Sequence, residues 1–164
     1  MTDETLLEIE VEKLAMIQSA AIDTSSIIYL SKSKLLDPLA GLIRLVTVEF
    51  VVREVGIRSL PVEIVATHQD DLDRSLDADT AILLCALHKR VPLLSEDRKL
   101  LMRAEARRVP YYNSIMMIAL MVLRGAIVDN EVSDYRDRLV DVARYGRRVI
   151  EYGDDLISYV VMNR

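Results

Sequence analysis

The stretch from Asp77 to Ser114, DADTAILLCALHKRVPLLSEDRKLLMRAEARRVPYYNS, constrains this chain more than any other. Acids stand at a helix start, and the apolar run Ala81 to Leu87 follows them. Val91 to Ser95 reads as a short buried strand ending on Glu96-Asp97. Arg98 to Arg108 reads as a second helix, and Val109 to Tyr112 as another short strand. The rhythm is αβαβ with acids at the element ends. In an open α/β sheet, the carboxyl ends of the strands form the functional edge. The remaining chain is expected to bring two more acids there.

Upstream, residues 3–17 carry Leu6, Leu7, Ile9, Val11, Leu14 and Met16 among acids, in a pattern that fits helix and alternating strand alike. Ala20-Ala21-Ile22 reads as a buried strand ending on Asp23, with Ser25 or Ser26 capping a helix over 27–32. Pro38 suits the first turn of a second helix, capped by Asp37 and running to about Arg44. Leu45 to Val48 is rich in β-formers. Glu49 to Val55 is expected to be helical and to stop at Gly56. Leu60 to Ala66 reads as a third strand, and Asp70-Asp71-Leu72-Asp73 as the cap and first turn of a helix.

Downstream, Ser114 is a good N-cap for a helix over 115–124 that Gly125 ends. Helical spacing recurs from Tyr135 to about Val149, and a last helix is expected over 154–161. Strands alternating with helices predict a three-layer α/β/α domain with a short-stranded, mainly parallel sheet and a helical C-terminal tail. The expected division is an N-terminal extension over 1–19, the α/β domain over 20–124, and a helical extension over 125–164. That last segment packs on the domain or at a dimer interface.

The whole chain has 164 residues, enough for one sizeable core. A formal charge of −5 disfavours a protein that simply coats nucleic acid, although metal ions can reverse the sign at a site. With seven Tyr, one Phe and no Trp, stacking of bases on Trp or Phe is not the main binding device. Cys85 is the single cysteine, which excludes an intrachain disulfide and cysteine-based zinc sites, and its apolar helix makes it a packing residue. His68 and His88 are too isolated to build a zinc site, and Met116, Met117 and Met121 read as a packing stripe. The longest apolar run, Ile115 to Leu123, is too short to span a bilayer, and the acidic N-terminus has no signal pattern. A soluble cytoplasmic protein without a membrane partner is the expectation.

Four acids stand where local structure changes. Asp23 ends the first strand, Glu54 lies on the helix after the second, Asp79 opens the helix 80–88, and Asp97 follows the strand 91–95. A single Asp at a helix start is ordinarily a cap. Four carboxylates at one edge repel one another unless cations lie between them, and hard oxygen ligands at an open site favour Mg²⁺ or Mn²⁺. Glu49 is five residues before Glu54, so the two do not share a helix face. Asp77 competes with Asp79, one of the pair serving as a cap.

These blocks resemble the PIN-domain nuclease family, whose members include toxin ribonucleases of toxin–antitoxin pairs. The resemblance rests on Asp23-Thr24-Ser25, on Val51-Val52-Arg53-Glu54, on Asp79 before Thr80 to Ala86, and on Ser95-Glu96-Asp97-Arg98-Lys99-Leu100. It covers residues 20–114. It implies a metal-dependent endoribonuclease in which Asp23, Glu54, Asp79 and Asp97 are catalytic and hold one or two Mg²⁺ or Mn²⁺ ions. A metal-activated water would then cleave RNA with no covalent enzyme intermediate. The implied partners are an RNA substrate, a second copy of the chain in a homodimer and, in the toxin reading, a protein antitoxin. Ser25 and Ser95 are candidates to orient acids or phosphate. Lys99, Arg103 and Arg107 recur every four residues and form a basic stripe that could guide an RNA backbone. The competing class is a catalytically silent interaction module with the same fold. Metal binding discriminates between the two.

Overall fold

The sheet is wound outward from its middle strand. In the computed structural model, which describes residues 2–57, 59–66 and 76–164, the strands are β1 (Ser19–Ile22), β2 (Arg44–Val48), β3 (Glu63–Val65), β4 (Leu93–Leu94) and β5 (Tyr111–Tyr112). Their order is β3-β2-β1-β4-β5, and every pairing is parallel. The chain builds β1, β2 and β3 toward one edge, then crosses back to place β4 and β5 on the other side of β1. The order therefore reverses between β1 and β4, where Ile22 is registered with Leu94. A crevice at the carboxyl ends of such a strand pair is where open α/β sheets bind ligands. Ala20, Ala21, Ile22, Leu93 and Leu94 are fully buried, as strands covered on both faces must be.

Helices flank this sheet, giving a three-layer α/β/α arrangement. They are α1 (Asp3–Ala15), α2 (Thr24–Lys32), α3 (Leu36–Ala40), α4 (Glu49–Val55), α5 (Ala78–Lys89), α6 (Arg98–Ala106), α7 (Ser114–Leu123), α8 (Val132–Ala143) and α9 (Arg147–Asn163). The helix-or-strand alternative over residues 3–17 resolves as the helix α1, which ends at Ala15, with the Thr2 hydroxyl accepting from the Thr5 amide at 3.3 Å. Helix α4 spans the expected residues and stops at Gly56, whose φ of 70° is the left-handed conformation that glycine accepts without strain. No described helix is long and apolar enough to cross a membrane.

Several expected boundaries move, each for a local reason. Helix α2 starts at Thr24 because Asp23, and neither Ser25 nor Ser26, is its cap. Helix α3 ends at Ala40 and its N-terminus has no side-chain cap, so Asp37 is not the cap. Strands β4 and β5 shrink to two residues each. Pro92 and Pro110 precede them, have no N–H for the ladder, and contribute only carbonyls, to Ala21 N at 2.9 Å and Leu93 N at 2.8 Å. Helix α6 ends at Ala106, so Arg107 is its C-cap and lies outside the helix. Ser114 is the first residue of α7 and not its cap; Asn113 takes that place without a side-chain bond. The helix expected over 135–149 breaks at Arg144 (φ 50°), and the one expected over 154–161 is the second half of α9. His68 and the acidic segment 70–73 lie outside the described residues.

Every residue of α7 from Ser114 to Val122 is buried, including Met116, Met117 and Met121. A helix that is apolar all round needs cover on every side. Helices α1, α8 and α9 provide it, so the two terminal segments share the core with the sheet domain. Arg136 of α8 forms a two-pronged pair with Asp154 of α9, at 2.9 and 2.6 Å. Gly153 on α9 lies directly over Ile115. A Cβ there would come within 2.7 Å of two atoms of that fully buried side chain. Gly153→Leu is expected to destabilise the protein by about 2 kcal/mol, since an overpacking cost of roughly 3 exceeds the helix-propensity gain of about 1. A thermal melt checks this. An unchanged midpoint would show that α9 does not close on α7 this tightly.

Candidate active site

Asp23 is the deepest of the four acids, with 3% of its surface exposed. It follows the middle strand and caps α2, accepting from the Ser26 amide at 2.9 Å. Ser25 Oγ donates to its two oxygens at 2.9 and 3.0 Å, and Ser95 Oγ makes a short bond to Oδ2. Each serine hydroxyl also accepts from the turn after β4: Glu96 N donates to Ser25 Oγ at 3.1 Å, and Asp97 N to Ser95 Oγ at 3.0 Å. Both sequence-identified serines therefore fix Asp23 and tie it to the neighbouring strand end. Thr47 Oγ, also buried, donates to the Ile22 carbonyl at 2.8 Å and pins the end of β1 from the other side. Burial pushes the Asp23 carboxyl up to about 6, against the pull of these hydrogen bonds.

Asp23 shares a cleft of about 200 Å³ with Thr24, Ser25, Ile28, Tyr29, Glu54, Asp79 and Asp97. The four expected acids thus reach one cleft from four elements. Asp97 caps α6 through Oδ1, which accepts from Lys99 N at 2.8 Å and Leu100 N at 3.1 Å. The two open alternatives also separate. Asp77 caps α5, accepting from Thr80 N at 2.7 Å, whereas Asp79 lines the cleft. Glu49 is exposed beside Arg53 at 3.6 Å, whereas Glu54 faces the cleft.

The rim carries a charge conflict. The Asp79 carboxyl is raised first by partial burial and then by the negative charges of Asp97, Asp77 and Glu54; Arg103 opposes the rise. Repelling hard-oxygen donors around an open cleft suit a divalent cation, which would relieve both terms. Among the described residues, no three Asp, Glu, His or Cys side chains converge as ligands of a single ion.

The basic stripe divides. Arg103 is half-buried and bridges α6 to α5 by donating to Thr80 Oγ at 2.8 Å. Lys99 and Arg107 are exposed and do not line the cleft. Cys85 is buried and its thiol is raised by burial, which suits a packing role. Sequence reasoning missed Ile28 and Tyr29 in the cleft wall. It also missed Glu96, whose only visible signal was its place beside Asp97. The chain matches no protein-family model and no curated protein.

Proposed function

We propose that this protein is a metal-dependent endoribonuclease that hydrolyses RNA phosphodiester bonds in the cytoplasm. The supporting observation is the meeting of Asp23, Glu54, Asp79 and Asp97 in one cleft at the reversal point of a parallel sheet. These four carboxylates would hold one or two Mg²⁺ or Mn²⁺ ions. When bound, such ions supply an activated water and offset charge at phosphorus.

The chain's own residues do the rest. Ser25 and Ser95 hold the Asp23 oxygens in place. Asp97 keeps its cap bonds on Oδ1, which leaves Oδ2 outside the cap. Glu54 and Asp79 approach the cleft from separate helices, α4 and α5. Lys99, exposed and two residues past Asp97, would meet the RNA backbone, whereas Arg107 stands at the opposite end of α6. The PIN resemblance adds two partner proposals, a homodimer and a protein antitoxin that occludes the cleft. Sedimentation of the pure chain tests the first.

Calorimetry with Mn²⁺ tests the site itself. The wild type is expected to bind, and Asp97→Asn to bind about tenfold more weakly or worse, with folding checked by circular dichroism. A well-folded wild type that takes up no Mn²⁺ would leave the interaction module as the better reading.

A further inference from the structure

Glu96 turns the opposite way from its neighbour Asp97. Asp97 faces the cleft, while the Glu96 side chain runs inward beneath it and lines no part of the cleft. Its Oε1 accepts from Ser26 Oγ at 3.1 Å and from Ser114 N at 2.7 Å, and makes a very short bond with Ser114 Oγ. Ser114 opens α7, whose N-terminus has no cap of its own. The Glu96 carboxyl fills that place from another part of the chain and satisfies an otherwise orphaned amide. Tyr145, in the connector between α8 and α9, approaches the same carboxyl. Its hydroxyl and Glu96 Oε2 are both buried and close no full hydrogen bond with any described residue. Two such atoms left facing each other are a latent contact, because an unpaired buried polar group is costly.

This cluster lies directly behind Asp23. Ser26 gives its hydroxyl to Glu96 and its amide to Asp23. Glu96 gives its own amide to Ser25, which in turn holds Asp23. Through those two serines, Glu96 braces the loop that carries the deepest acid against α7.

We propose that Glu96 is a positioning residue for the carboxylate cleft, seated between Ser26 and Ser114 so that the start of α7 becomes part of the support of the site. The proposal deepens the nuclease reading and rests on it for its metal arm. Outer-shell partners of metal ligands commonly matter by about tenfold to a hundredfold in metal affinity.

The test uses the full chain and two readouts. One is hydrogen exchange in metal-free protein at the Ser26 amide, which is bonded to Asp23, with the Ala21 amide of β1 as the reference for global opening. The other is Mn²⁺ affinity by calorimetry. Glu96→Ala is expected to speed exchange at Ser26 relative to Ala21 by about tenfold and to weaken Mn²⁺ binding by about tenfold. Glu96→Gln should restore both, because its amide oxygen still accepts from Ser26 and Ser114 while its NH₂ can donate to Tyr145. Relative exchange within about twofold of wild type in Glu96→Ala, or Glu96→Gln as damaging as Glu96→Ala, overturns the proposal. If Glu96→Ala does not fold, Ser114→Ala decides: it should raise relative Ser26 exchange by about threefold, and no change overturns the brace. A wild type that binds no Mn²⁺ removes the nuclease reading and leaves the exchange arm to judge Glu96.

Discussion

Asp79→Asn is expected to lower the proposed Mn²⁺-dependent RNA cleavage by about 100-fold or more, as when a cation loses a hard anionic ligand worth several kcal/mol at the transition state. The fold should survive the change. Asp79 is at the rim, repelled by Asp97, Asp77 and Glu54, and removing its charge relieves that repulsion. Asp77→Asn is the matched control two residues away. Asp77 caps α5 through the Thr80 amide, and Asn caps about as well as Asp, so its cleavage rate should stay within about threefold of wild type. Cleavage assays on both variants against the same RNA measure the contrast. Equal activity in Asp79→Asn and wild type would remove Asp79 from the catalytic set. Equal loss in both variants would show that the start of α5 matters only as structure.

The second large effect concerns stability without metal. Asp23 has an ordinary value of 3.8, and burial carries it to about 6 in the folded protein. Between those values the native state binds more proton than the unfolded chain, so stability falls as pH rises through that window. Above about pH 6 the whole cost of an ionised buried carboxylate is present, which amounts to roughly 3 kcal/mol. Asp23→Asn removes that charge, and its amide still finds serine hydroxyls on both sides. The metal-free variant is therefore expected to melt about 6–12 °C above the metal-free wild type near pH 7 and to lose most of the advantage near pH 4. Added Mg²⁺ should reverse the ranking by stabilising only the wild type. Thermal melts over this pH range measure it. A variant less stable than wild type at neutral pH would mean that the Asp23 hydrogen bonds outweigh its burial.

Much of this was legible in sequence because the signals are local. Short apolar runs that alternate with helical periodicity specify a parallel sheet between helices, since such strands must be buried on both faces. Asp23 and Asp97 could be placed from sequence because each follows a strand. Boundaries were less legible. Pro92 and Pro110 shorten β4 and β5 by removing ladder donors, and the caps of α2 and α7 depend on what faces them from elsewhere in the chain. The serine expected to cap α7 instead bonds Glu96, eighteen residues away.

By itself the sequence determined the alternation of elements, the acids at their ends and the exclusion of an intrachain disulfide, because these follow from residue type and spacing along one chain. Only the tertiary structure decided between Asp79 and Asp77 and between Glu54 and Glu49, because a cap and a cleft residue look alike until the opposing elements are in place. It alone buried Glu96 against Ser26 and Ser114, beside Tyr145, and it alone made α1, α8 and α9 the cover of α7. Each of those outcomes depends on contacts between residues far apart in the chain, for which no local pattern carries a signal.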